Sequence, residues 1–158
     1  MRKLVTVRHL VIHHSESPGG GVAFIRHVHV AEFGWADIGY HYVIGNGIGW
    51  GGYAALADGA TAPGRDSIYQ GAHCRGHNAD SIGICVIGAL HQNDPTPAQV
   101  AALVKILTAL CRRYHLSHTA IVGHRDLLAT TCPGDRMYAL LPTVREAVRA
   151  HLATEVVQ

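Results

Sequence analysis

Apolar positions along the 158-residue chain gather into short continuous runs divided by glycine-rich breaks, and into three stretches with a helical period. From Val7 to His14 the chain concentrates Val, Leu and Ile until Ser15-Glu16-Ser17 and Pro18-Gly19-Gly20-Gly21 stop it, which predicts a first strand. Val22, Ile25 and His29 or Val30 then recur at helical spacing, predicting a helix from Val22 to Phe33 with Gly34 as its C-cap. A turn at Trp35-Ala36-Asp37-Ile38-Gly39 leads to a strand over Tyr40 to Ile44, and five glycines between Gly45 and Gly52 mark a loop. After a turn at Asp58-Gly59, the nearly unbroken apolar run Ser81 to Leu90 predicts a strand buried on both faces. The clearest helix follows: Thr96 as N-cap, Pro97 at the first helical position and Gln99 completing a capping box, with Val100, Leu103, Val104, Leu107 and Cys111 on one face. A short strand over Thr119 to His124 and a helix from Pro142 to about Thr154 complete the pattern. Strands interleaved with helices, without repeat or linker, predict a single α/β domain over residues 1–158, with a central mixed sheet flanked by helices.

Composition narrows the function. A chain of this length buries roughly 68–70% of its unfolded surface around one core, so no disulfide or metal staple is needed for folding. Net charge is +2 with a pI near 8.4 and no Lys/Arg stripe, which argues against nucleic acid while permitting attraction to an acidic cell wall. The four cysteines, Cys74, Cys85, Cys111 and Cys132, include no C-x-x-C pair and do not resemble a secreted disulfide framework. The first apolar run, Leu4 to Val7, is shorter than the about 7–15 residues of a signal-peptide core, and no run approaches the ~20 needed to cross a bilayer. The expectation is a monomer made in the cytoplasm without an export signal and without membrane insertion.

Candidate chemistry concentrates in GHRDLLATTCPGD, where His124 and Cys132 stand eight positions apart across a loop bounded by Gly123 and Pro133. With His13 from VIHHS, they form a set of two nitrogens and one sulfur suited to zinc and one ligand short of a closed tetrahedron. Such an ion keeps a position for water, whose pKa falls to about 7, so a hydrolase is the first reading. Thirteen histidines make any single one a poor candidate, but His13 and His124 each end a predicted strand, where side chains converge on clefts. His14 competes with His13: neighbours on a strand face opposite sides, and alternation alone does not choose between them. Cys132 has the alternative role of a small buried hydrophobe, although Thr131-Cys132-Pro133-Gly134-Asp135 is turn chemistry. Cys74-Arg75-Gly76-His77 reads as a metal half-site lacking a second pair, and a thiol protease using Cys132 and His124 leaves His13 without a role.

Four ordered segments carry a further resemblance: VIHHSES, GWADIGYHYVIG, GAHCRGHNADSIGICVIG and GHRDLLATTCPGD. They resemble the motifs of the second type of N-acetylmuramoyl-L-alanine amidase, a family that includes phage lysozyme-amidases and peptidoglycan recognition proteins, and the match runs over roughly residues 7 to 140. The resemblance implies one zinc ion per chain on His13, His124 and Cys132. It implies that Tyr40 orients water or stabilises the oxyanion, and that His73 and Asn78 line the substrate groove. Thr130 stands where phage and recycling enzymes tend to carry lysine and the recognition branch often has threonine, which would leave oxyanion stabilisation to zinc, Tyr40 and the Thr130 hydroxyl. A stretch from about Asn46 to Ala57, with Trp50 and Tyr53, resembles an insertion and is expected to form either a substrate-contacting flap or a longer hairpin. The implied activity is hydrolysis of the lactyl-L-alanine amide of peptidoglycan by an endolysin acting on the wall after release. Alternatives are a cytoplasmic amidase recycling soluble muropeptides and a non-catalytic peptidoglycan binder.

Overall fold

In the computed structural model, residues 1–154 are described. Strands β1 (His9–His14), β2 (Tyr42–Ile44), β3 (Thr61–Pro63), β4 (Ser81–Val86) and β5 (Ile121–Gly123) form a five-stranded sheet in the order β3-β2-β4-β1-β5. β1 runs parallel to both β4 and β5, β2 runs parallel to β4, and β3 closes one edge antiparallel to β2. Every residue of β4 is buried, as a parallel strand covered on both faces requires.

The two faces are covered unequally. Leu10, Ile12, Ile82, Ile84 and Val86 point into the larger core beneath α2 (Pro97–Tyr114) and α4 (Asp135–Thr154), which contribute Leu103, Leu107, Met137, Leu141 and Val144. The alternate residues Val43, Cys85 and Ile87 join a smaller cluster with Ile25 of α1 (Val22–His27) and Ile38. This thinner cover is what leaves room for a cleft on the second face. α2 starts where the pattern places it, with Thr96 Oγ1 accepting from Gln99 N at 3.0 Å and the Gln99 side chain accepting from Thr96 N at 3.0 Å.

Several boundaries differ from the sequence pattern for identifiable reasons. The helix expected to reach Phe33 is α-helical only to His27 and continues as a π-helical turn, Val28–Glu32, whose Phe33 N–H donates to the Val28 carbonyl at 3.1 Å. β4 ends at Val86 rather than Leu90, because the chain turns at Gly88, whose φ of 147° suits glycine. β5 spans only Ile121–Gly123, so His124 is the first residue of a short helix, α3 (His124–Leu127). α4 begins at Asp135 and carries Pro142 inside it, where the pattern reads Pro142 as a first position; this proline has no N–H for the Tyr138 carbonyl. β3 is absent from the sequence reading, being three residues long and ending in a proline that only an edge strand accommodates. The glycine-rich insertion folds as a small hairpin: Trp50 and Tyr53 exchange both backbone bonds, at 3.2 and 3.0 Å, around Gly51 and Gly52 with φ of 62° and 81°. Its Tyr53 ring packs near Phe24 and His27 of α1. Among the described residues, no helix is long and apolar enough to cross a membrane.

Candidate active site

The strand alternation that places Leu10 and Ile12 under α2 and α4 sends His14 the same way, where its Nδ1 accepts from Leu90 N at 3.1 Å. His13, paired in register with Cys85, therefore faces the thinly covered side. Ile12 pairs with Gly123, so the first residue of α3 emerges beside His13, and the His13 and His124 rings lie 4.5 Å apart between centroids. The Arg125 N–H donates to the Cys132 carbonyl at 3.0 Å and closes the loop that returns the cysteine to this point. Cys132 Sγ lies 3.5 Å from His13 Nδ1, and donor atoms of His13, His124 and Cys132 all fall within 4.8 Å of one another.

A directed run of hydrogen bonds fixes the tautomer of His13. Ser81 Oγ uses its one proton on the His77 carbonyl at 2.6 Å, so at 3.3 Å it accepts from His73 Nε2. His73 Nδ1 then carries a lone pair and accepts from His13 Nε2 at 2.9 Å. What remains on His13 is an unprotonated Nδ1 directed at the cysteine. Burial, followed by the neighbouring imidazoles, pushes the His13 and His73 pKa values well below the usual histidine range, so both rings stay neutral. Glycine makes this packing possible: a Cβ on Gly83 would lie 2.5 Å from the His73 ring, and one on Gly71 would lie 2.4 Å from it.

The donor set fits a borderline cation. His124 Nε2 is buried and has no hydrogen-bond partner among the described residues, a condition that costs about 1–3 kcal/mol unless something accepts its lone pair. Burial pushes the Cys132 thiol up to about 12, so without a cation it stays protonated; a coordinated divalent ion deprotonates such a thiol. Two neutral imidazoles and a thiolate are ligands that zinc takes in a three-ligand open site.

Tyr40 lies against His13, with ring centroids 5.0 Å apart, and burial pushes its pKa well above the usual phenol value, so it remains a proton donor. Its segment is held from beneath by the buried Arg65, which donates to the carbonyls of Ile38 at 2.8 Å, Gln70 at 2.7 Å and Asp37 at 3.0 Å. From above, His29 Nδ1 accepts from Gly39 N at 2.9 Å. Thr130 lines the same cavity of about 400 Å³ as His13, Tyr40, His124 and Cys132, and its hydroxyl accepts from Cys132 N at 3.2 Å.

His73 lines this cavity too, but its ring nitrogens are engaged by His13 and Ser81. Asn78 lies in an adjoining cavity of about 410 Å³ with Trp35, Arg75 and Leu128, and its Oδ1 accepts from the backbone N–H groups of His73 and Cys74, both at 2.9 Å. Three residues that the pattern places only in a helix and a turn form part of the wall: His29, Phe33 and Trp35, whose rings are mutually 4.5–5.8 Å apart. Phe33 and Trp35 flank Gly34 in sequence, and His29, within the π-helical turn, stands beside Tyr40 with ring centroids 5.4 Å apart. Among the described residues Cys74 joins no group of three ligand-bearing side chains; His77 groups instead with His9 and Asp80.

Comparison with known proteins gives the family of the chain and the relatives of its fold. A family described as N-acetylmuramoyl-L-alanine amidase matches residues 3–135. The chain is 34% identical over 118 residues to an endolysin of Enterobacteria phage T3, covering 72% of this chain and 69% of that protein. It is 30% identical over 146 residues to a human N-acetylmuramoyl-L-alanine amidase, of which it spans 23%. Among solved structures, an endolysin amidase of Clostridium intestinale URNW superposes with a TM-score of 0.76 at 25% identity, covering 96% of this chain and 87% of that one. The ectodomain complex of peptidoglycan recognition proteins LCa and LCx with tracheal cytotoxin gives 0.75 at 29% identity, covering 89% and 84%.

Proposed function

The chain belongs to the N-acetylmuramoyl-L-alanine amidase family, and from that premise we propose that it is a zinc-dependent hydrolase of the lactyl-L-alanine amide of peptidoglycan, acting as an endolysin on the wall after release. The observation that carries the reading is the convergence of His13, His124 and Cys132, with an unpaired buried nitrogen and a lone pair facing a thiol, at the floor of one cleft. His13, His124 and Cys132 would hold the zinc, which when bound would supply a Lewis acid for the amide carbonyl and lower the pKa of a water to about 7.

The chain's own groups do the rest. Tyr40, neutral and beside His13, donates a hydrogen bond to the carbonyl oxygen as negative charge develops there, with the Thr130 hydroxyl as a second polar group. His73 keeps His13 in the tautomer and orientation that present Nδ1. Phe33 and Trp35 give the cleft an apolar wall against which a sugar or peptide face packs. Water oxygen bonds to the carbonyl carbon, the carbon–nitrogen bond breaks and the leaving amine takes up a proton, giving a lactyl carboxylate and a free L-alanine amino terminus. Incubation with purified peptidoglycan and mass-spectrometric detection of new L-alanine amino termini tests this. Clearing of intact sacculi supports the endolysin role, whereas action confined to soluble muropeptides supports recycling.

A further inference from the structure

At the opposite end of β1 from His13, three ligand-bearing side chains meet. His9 opens the strand, its register partner is Ser81, and His77 and Asp80 lie in the turn that leads into β4. The His9 and His77 rings stand edge to face at 5.9 Å, His77 Nδ1 is 3.7 Å from Asp80 Oδ1, and one donor atom from each residue lies within 4.8 Å of the others. His9 Nδ1, His77 Nδ1 and Asp80 Oδ1 are all sealed from water without a hydrogen-bond partner among the described residues.

We propose that His9, His77 and Asp80 form a second divalent-cation site, distinct from the cleft and taking a transition ion of the zinc class. Three buried polar atoms without a hydrogen-bond partner among the described residues are costly separately, and a cation that receives a lone pair from each removes the cost at once. Bonds of about 2.0–2.1 Å set tetrahedral ligand atoms about 3.3 Å apart, so the 3.7 Å between His77 and Asp80 needs only a small rotation to fit. Two imidazoles and one carboxylate are a zinc-type set, and side chains that remain 33% and 29% exposed at His77 and Asp80 leave an entry path and room for water.

The backbone holds the cluster in place. Arg8 N and His9 N both donate to the Asp80 carbonyl, at 2.7 and 3.3 Å, and Asp80 N donates to the His77 carbonyl at 3.3 Å. The same His77 carbonyl accepts from Ser81 Oγ, which accepts in turn from His73. An ion here stiffens the segment from His73 to Ser81 that orients His13, so its role is structural.

The test is to titrate metal-free protein with zinc and count equivalents retained after dialysis by plasma mass spectrometry. Wild type retains two equivalents, His77→Gln and Asp80→Asn one each, and Cys132→Ala one, so the loss of either site is read independently of the other. His91→Gln, which alters a third group of possible ligands with His14 and Glu16, leaves both equivalents. Anomalous scattering at the zinc edge from wild-type crystals shows a peak between His9, His77 and Asp80, a measurement that does not depend on a variant folding. Absence of that peak at saturating zinc, or a second equivalent lost in His91→Gln but kept in His77→Gln, overturns the proposal.

Discussion

His73 Nδ1 lies 2.9 Å from His13 Nε2, in a buried pair 60 residues apart in sequence. Because His73 fixes which nitrogen of His13 carries the proton, its loss frees the ligand ring to tautomerise and turn. His73→Ala is expected to weaken zinc binding in the cleft by about 10–100-fold, measured by competition with a chromophoric chelator. Gly83→Ala is expected to act in the same direction, since its methyl would lie 2.5 Å from the His73 ring and displace it. Unchanged zinc affinity in both variants would remove His73 from its positioning role.

Tyr40→Phe keeps the ring against His13 and removes only the hydroxyl. A group that stabilises developing oxyanion charge contributes to turnover more than to substrate binding, so kcat is expected to fall about 10²–10³-fold with zinc content and KM nearly unchanged. Equal losses in metal content and activity would show instead that the phenol supports the fold of the site.

Arg65 donates to three backbone carbonyls in a buried position, and no aliphatic replacement satisfies them. Arg65→Ala is expected to lower unfolding free energy by about 3 kcal/mol, read from urea denaturation. A loss below about 1 kcal/mol would show that water replaces the guanidinium there without strain.

Two histidines outside the proposed ligand set make stability pH-dependent. Burial, as the largest cause, lowers the pKa of both His14 and His29 from 6.5 to about 4, and each accepts a backbone N–H through Nδ1. The unfolded chain therefore takes up protons before the folded one does. Their contribution is fully present above about pH 6.5 and is lost progressively as pH falls toward about 4. Urea midpoints are expected to drop between about pH 7.5 and about pH 5, and His29→Asn to flatten part of that slope. A midpoint that is level over this window contradicts the burial of neutral imidazoles.

Much of the scaffold was legible because its signals are local. β1 and β4 announce themselves as apolar runs, and α2 by its cap and its apolar face. His13, His124 and Cys132 were legible as candidates from strand ends and turn chemistry, but which of His13 and His14 faces the cleft was not. Alternation leaves that open and only the family resemblance points to His13, because the choice depends on the covering of one sheet face by α2 and α4, a tertiary fact. The same holds for β3, whose pairing to β2 rather than its own three residues makes it a strand, and for α4, where packing of Met137 and Leu141 carries the helix through Pro142. The resemblance implies a groove-lining role for His73; its ring bonds to His13 and Ser81 require the close approach at Gly71 and Gly83, where a Cβ would meet the ring.

The central claim is tested most directly by following release of L-alanine amino termini from peptidoglycan with zinc-loaded, chelator-treated and Cys132→Ala protein, side by side. The account predicts termini from the loaded protein, none after chelation, recovery when zinc is restored, and none from Cys132→Ala at any zinc concentration. Undiminished release by the metal-free protein or by Cys132→Ala would contradict it.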